Sequence, residues 1–203
     1  MTLAQAQTDQ VTRRRFRSRL LQQSLWGLVL FLSTSHALMA GGDSQLRVQV
    51  GLKLFRAMMT ADQQVAQKAD QNGLLQVVLV YADDRHRAQE LADELALDLA
   101  PIQSYPVQVS ILTHQALAHY GGHRPLGIFI VQRMEREELQ QLIQFSIARQ
   151  VLLFSPFEGD VEAGVLGGLA VEASVRPFIN LQTLQRSKVQ IKPFYLKVAK
   201  VYE

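Results

Sequence analysis

The chain has no cysteine. That excludes a disulfide framework, a thiolate zinc site and a cysteine nucleophile. It also suits an oxidising compartment, where stray thiols are a hazard. No serine sits in a G-x-S-x-G elbow. There is no G-x-x-x-x-G-K-[ST] loop, and no G-x-G-x-x-G follows the first strand. Nucleotide binding therefore has no positive support and no cofactor is expected. The D-x-[DN]-x-[DN]-G calcium loop is missing as well.

Charge is scarce, at 19% of residues, whereas 48% are hydrophobic. A sizeable core is affordable and disorder is not expected. At 203 residues the length fits one domain with a short appendage. The net charge of +3 is unevenly placed. Five arginines (13, 14, 15, 17 and 19) and one acid, Asp9, fall before residue 41, leaving 16 basic and 17 acidic residues in 41–203. The body is close to neutral and offers no basic face for nucleic acid.

The first forty residues have the grammar of an export signal: a positive region, the short apolar run Leu25–Leu32, then small residues. The run is too short to span a hydrocarbon core of about 30 Å. Cleavage is expected after Ala37 or Ala40, with an uncleaved inner-membrane anchor as the alternative. The Thr12-Arg13-Arg14-Arg15-Phe16 pattern resembles a twin-arginine signal, and a Sec-type leader rich in arginine is the other option. Either route places the body, residues 41–203, in the periplasm.

Gly41–Ser44 reads as a linker, and Leu52, Phe55, Met58 and Met59 then fit one helical face ending near Thr60. Leu74–Tyr81 (LLQVVLVY) is nearly continuous in apolar residues, as a strand covered on both faces would be. Asp83 or Asp84 caps a helix reaching about Leu99. Val107, Val109 and Ile111 alternate as a strand, and Leu112–Tyr120 is a short helix. Leu126–Val131 (LGIFIV) and Val151–Phe154 are further strands, separated by a helix that opens at Glu135–Glu138. This alternation predicts an α/β fold with a mostly parallel sheet and helices on both faces, a Rossmann-like three-layer sandwich. The pattern then changes. Gly164–Glu172 and Val175–Leu181 are joined by two residues, which forces a C-terminal antiparallel hairpin. Pro193 suits the first turn of a last helix running to Val201.

Candidate chemistry is sparse. Glu158, Asp160 and Glu162 form an acidic trio ahead of the hairpin, and Gly159, Gly167 and Gly168 punctuate it. The glycines read best as turn and close-approach positions. Functionally, this stretch is a candidate edge for docking a partner. Tyr81, Asp83, Asp84 and Gln132 would lie at the carboxyl ends of the parallel strands, where α/β folds place ligands. Capping alone explains Asp83 and Asp84, and a hydrolase using them would lack a nucleophile motif. His114, His119 and His123 have near-helical spacing, but Gly121-Gly122 interrupts it, so surface histidines are expected. No catalytic or metal-ligating residue is assigned.

The exported leader, LKLFRAMM, LLQVVLVY and LGIFIV, the run Gly164-Val165-Leu166-Gly167-Gly168, then Phe178-Ile179-Asn180-Leu181 and the closing Phe194–Lys200 together resemble the YfiR-like (HmsC-like) periplasmic proteins. The similarity covers most of 44–203, and its distinctive part is the last fifty residues. It implies a non-enzymatic α/β regulator. Such a protein binds the periplasmic sensor part of an inner-membrane diguanylate cyclase, restrains it, and lowers cyclic-di-GMP and biofilm formation. A homodimer is a further implication. Redox sensing through cysteines, as in the best-known member, is excluded for this chain. The rival expectation is a periplasmic small-ligand-binding protein resembling one lobe of a solute receptor.

Overall fold

The structure is a computed structural model that describes residues 35–203, with side chains from Ser44 onward. Residues 1–34 of the expected leader lie outside the described residues, and its last six, 35–40, belong to the first helix. Leu46–Glu203 forms one compact unit. The described residues run α1 (Ser35–Ala61), a 3₁₀ turn (Val65–Lys68), β1 (Leu75–Tyr81), α2 (Arg85–Asp98), β2 (Val107–Thr113), α3 (His114–Ala118), β3 (Gly127–Ile130), α4 (Arg136–Arg149), β4 (Leu152–Ser155), β5 (Gly167–Val171), β6 (Val175–Asn180), α5 (Leu181–Ser187), α6 (Pro193–Val198) and β7 (Lys200–Tyr202). No helix of the described residues is long and apolar enough to cross a membrane.

The seven strands form one sheet in the order β2-β1-β3-β4-β5-β6-β7. Every neighbouring pair is parallel except the β5–β6 hairpin. This is the expected α/β sandwich with a C-terminal antiparallel hairpin. β1 is the first strand laid down, and the chain goes to β2 on one side and to β3 on the other. The carboxyl ends of β1 and β3 therefore form a topological switch point.

Strand side chains alternate between two cores. Leu75, Val77, Leu79, Phe129, Leu152 and Phe154 face α1 and α2, where Phe55, Met58, Leu91 and Leu95 meet them. Val78, Val80, Ile128, Ile130 and Leu153 face α3 and α4, against Leu117, Leu139, Leu142 and Ile143. That period of two explains why the central strands read as unbroken apolar runs. Phe55 sits 5.5 Å from Phe129 and 5.8 Å from Phe154, ring centroid to ring centroid. Glycine makes room for it: a Cβ at Gly127 would stand 2.8 Å from the Phe55 ring.

Helix ends follow local chemistry. The Asp84 carboxylate accepts from Arg87 N at 2.9 Å and starts α2. Glu135 and Glu138 form a capping box on α4. Asn180 caps α5, accepting from Thr183 N at 2.8 Å.

Two segments differ from the sequence expectation. Gly41–Ser44 is helical, within α1. A glycine lowers helix stability by only about 1 kcal/mol, which a continuing helix tolerates. The last helix stops at Val198, where Ala199 turns extended, and Lys200–Tyr202 pair with Phe178–Asn180 as β7. The run Val201-Tyr202 is good strand material, and β6 offered it an open edge.

Candidate functional site

β4 ends at Ser155 while its neighbour β5 continues to Val171. The loop after β4, from Pro156 to Val165, bends away and leaves a groove of about 340 Å³ beside the end of β5. Phe157, Glu158, Gly159, Val161 and Glu162 form one wall, and Leu169, Ala170, Val171 and Phe178 form the other. Arg47 from α1 and Lys200 from β7 stand at its rim.

The loop is held in shape from within. Gly159 adopts φ +88°, a left-handed conformation that favours glycine. Ala163 N donates to Gly159 O at 2.9 Å and Val165 N to Asp160 O at 2.9 Å. The Asn180 side-chain amide donates to Val161 O at 2.8 Å, so one residue fixes both this loop and the start of α5. The Arg47 guanidinium donates to Pro156 O at 3.1 Å and ties α1 to the loop's first residue.

The acidic trio splits. Glu158 and Glu162 are exposed on the groove wall, and neither has an ion-pair partner among the described residues. Asp160 points inward. It is 5% exposed and accepts a hydrogen bond from the Ser155 hydroxyl. Burial raises its pKa above the usual carboxylate value, while the Ser155 bond and the Arg133 guanidinium, 4.0 Å away, oppose that rise. Asp160 is therefore part of the loop's buried foundation and not of the groove surface.

Gly167 and Gly168 are likewise buried. A Cβ at Gly167 would stand 2.7 Å from Met58 Sδ, and one at Gly168 would stand 2.8 Å from Ser155 O and 2.6 Å from Val161 Cγ2. They let α1 and the loop approach β5, as close-approach positions should. The outer side of the hairpin is also partly covered, since β7 pairs with Phe178–Asn180. On that face Lys200 Nζ lies 5.1 Å from the Phe178 ring centre and 3.1 Å from a Glu172 oxygen, and Arg176 binds the same carboxylate at 2.7 Å. These two hydrogen-bonded cations, Lys200 foremost, hold the Glu172 carboxyl below its usual pKa.

The second candidate set does come together at the switch point. Tyr81 ends β1, half-buried. Gln132, just past β3, donates through Nε2 to Asp83 and accepts at Oε1 from Asp84 N at 3.1 Å. Its amide thus bridges the carboxyl ends of β1 and β3 and is satisfied at both ends. His114 Nε2 lies 3.1 Å from Glu138, whereas His119 and His123 are exposed.

Several residues of the groove gave no local signal in the sequence. Arg47 meets Pro156 across 109 positions. The largest omission lies elsewhere, at the amino ends of the strands. Lys68 and Asp62 form a fully buried ion pair at 2.5 Å inside a segment that reads as a polar loop. Burial lowers the Lys68 pKa, against the opposing pull of Asp62.

The chain is an α/β three-layer domain with an open groove beside the end of β5. No family model and no curated protein matches the chain. Among solved structures, it is similar to the ABC domain in complex with L-Trp from Streptococcus pneumonia, at 10% identity and TM-score 0.48, over 71% of this chain and 62% of that one. It is also similar to a conserved domain protein from Vibrio cholerae O1 biovar El Tor strain N16961, at 13% identity and TM-score 0.48, over 68% of this chain and 57% of that one. The chain spans about three fifths of the length of each.

Proposed function

We propose that this protein is a periplasmic, non-enzymatic regulator. It docks through the β5 groove on the sensor part of an inner-membrane signalling protein, in the first instance a diguanylate cyclase, and restrains it. The observation that carries the docking reading is the groove itself. It sets Phe157 and the largely buried Val161, Leu169 and Phe178 behind two exposed carboxylates, Glu158 and Glu162, that have no ion-pair partner among the described residues. Exposed Val171 and Val175 extend the apolar surface to the hairpin tip. The resemblance to YfiR-like proteins supplies the class of partner. The test is Glu158→Lys combined with Glu162→Lys. Loss of partner binding with a rise in cyclic-di-GMP supports the reading, and unchanged binding and unchanged cyclic-di-GMP remove the surface assignment.

A second reading, a small-ligand receptor at the carboxyl ends of β1 and β3, draws on the convergence of Tyr81, Asp83, Asp84 and Gln132. There, however, Gln132 already satisfies Asp83 and the Asp84 amide. A thermal-shift screen of the exported protein separates the two, because stabilisation by a small molecule without a protein partner favours the receptor.

A further inference from the structure

The docking reading acquires a mode of recognition from the backbone of β5. The ladder between β4 and β5 ends at Ser155 and Gly168, yet β5 runs on through Leu169, Ala170 and Val171. Asn180 N donates to Leu166 O at 3.0 Å across the hairpin. In an antiparallel ladder the residues whose backbone groups face the partner alternate in steps of two. Leu166, Gly168 and Ala170 therefore face β6. Gly167, Leu169 and Val171 face the opposite way, toward the β4 side; the Leu169 N–H is spent on Ser155 O in the last rung of that ladder, and beyond it Leu169 O and the Val171 N–H and C=O meet no strand. Pro177 agrees with this register. It stands opposite Leu169, a position where the missing N–H removes no bond to β5. The end of β5 is thus a short open strand edge inside the groove.

We propose that the groove takes an extended segment of the partner protein as an added strand beside Leu169–Val171, and that this segment alternates apolar with basic residues. This rests on the docking reading. Main-chain bonds to an open edge give affinity, and alternate side chains give specificity. One set of side chains would lie near Val161, Ala170 and Phe178, which form an apolar cluster of their own. The charge preference follows from what is already paired. Lys200 is bound to Glu172 and the Arg47 guanidinium is held on Pro156 O, whereas the Glu158 and Glu162 carboxylates have no hydrogen-bond or ion-pair partner among the described residues. An uncovered edge of this kind is otherwise a liability for non-specific pairing.

The experiment uses the full exported chain and a capped seven-residue peptide of alternating valine and lysine. Two control peptides replace lysine by glutamate or methylate alternate backbone amides. Binding is read by fluorescence anisotropy, and amide exchange is read at Val171. The valine–lysine peptide is expected to bind and to slow exchange at Val171. Each control should bind about tenfold or more weakly, because main-chain donors or charge complementarity are lost. Val171→Pro removes a groove-side N–H without removing a bond to β6, and should weaken the peptide to a similar extent with the unfolding temperature nearly unchanged. If that variant does not fold, exchange protection at Val171 in the wild type decides. Equal binding of the methylated peptide, no protection at Val171, or no binding of any peptide overturns strand addition. The docking reading fails separately, when the Glu158→Lys, Glu162→Lys variant keeps its membrane partner.

Discussion

The Ser155 hydroxyl donates to the carboxylate of Asp160, five residues on, and both side chains are buried. This bond joins the last residue of β4 to the loop that walls the groove. It makes the shape of a surface site depend on a buried pair.

Asp160 predicts a pH dependence with a definite sign. Its folded pKa is raised, chiefly by burial, above the ordinary value of 3.8. A carboxyl shifted upward contributes stability that is fully present below its unfolded pKa and is lost as pH rises through the folded value. Asp160→Asn keeps the Ser155 bond and removes the charge. The variant should therefore melt above the wild type at pH 7, and the difference should close toward pH 3. Thermal unfolding followed by circular dichroism across that range checks it. Ser155→Ala should instead destabilise by about 1–3 kcal/mol, since it leaves a buried acceptor unmet.

The two strand glycines should differ in tolerance. At Gly168 a Cβ meets a backbone carbonyl, Ser155 O, which cannot yield without moving β4. At Gly167 it meets the end of the Met58 side chain, which can rotate. Gly168→Ala is expected to cost about 2–3 kcal/mol and Gly167→Ala about 1 kcal/mol. Pairing Gly167→Ala with Met58→Ala should show a coupling energy in a double-mutant cycle, because the two atoms share one space. Denaturant unfolding measures all four.

The Lys68–Asp62 pair should behave as a buried ion pair. Lys68→Met alone strands the Asp62 carboxylate and should cost about 3–5 kcal/mol. Combining it with Asp62→Asn removes the stranded charge while keeping an oxygen for Gln64 N, which Asp62 Oδ1 accepts at 2.8 Å. The double variant should recover most of the loss in urea unfolding.

The sequence carried much of this fold. Leu75 through Tyr81 could be read as a central strand because both faces are covered, and the two-residue link at Ala173-Ser174 could only be a hairpin turn. β7 was hidden because Val198–Tyr202 is short and fits a helical face as well as a strand. Only the open edge of β6 decides between them. The acidic trio marked the loop that walls the groove but not the direction its side chains take. Glu158 and Glu162 line the groove, while Asp160, on the same short loop, turns inward to Ser155. Such a reversal depends on the left-handed turn at Gly159 and on Asn180, a residue twenty positions beyond Asp160.

Gln132 offers a test of the switch point. Gln132→Glu places a carboxylate against Asp83 and removes the donor it now receives. Stability should fall by about 1 kcal/mol, less at high salt, because the site is partly exposed. Binding to a membrane partner should be unaffected, and a parallel titration of the wild type and the variant checks this.

The most direct test of the account is photo-crosslinking in living cells from two exposed positions. One probe replaces Val171 beside the groove, and the other replaces Leu97, 88% exposed on α2. The account predicts an adduct from position 171 alone, identified by mass spectrometry as an inner-membrane protein carrying a diguanylate cyclase output domain, and lost with Glu158→Lys and Glu162→Lys. Equal adducts from both positions, or an adduct from 171 that the glutamate changes leave intact, would contradict it.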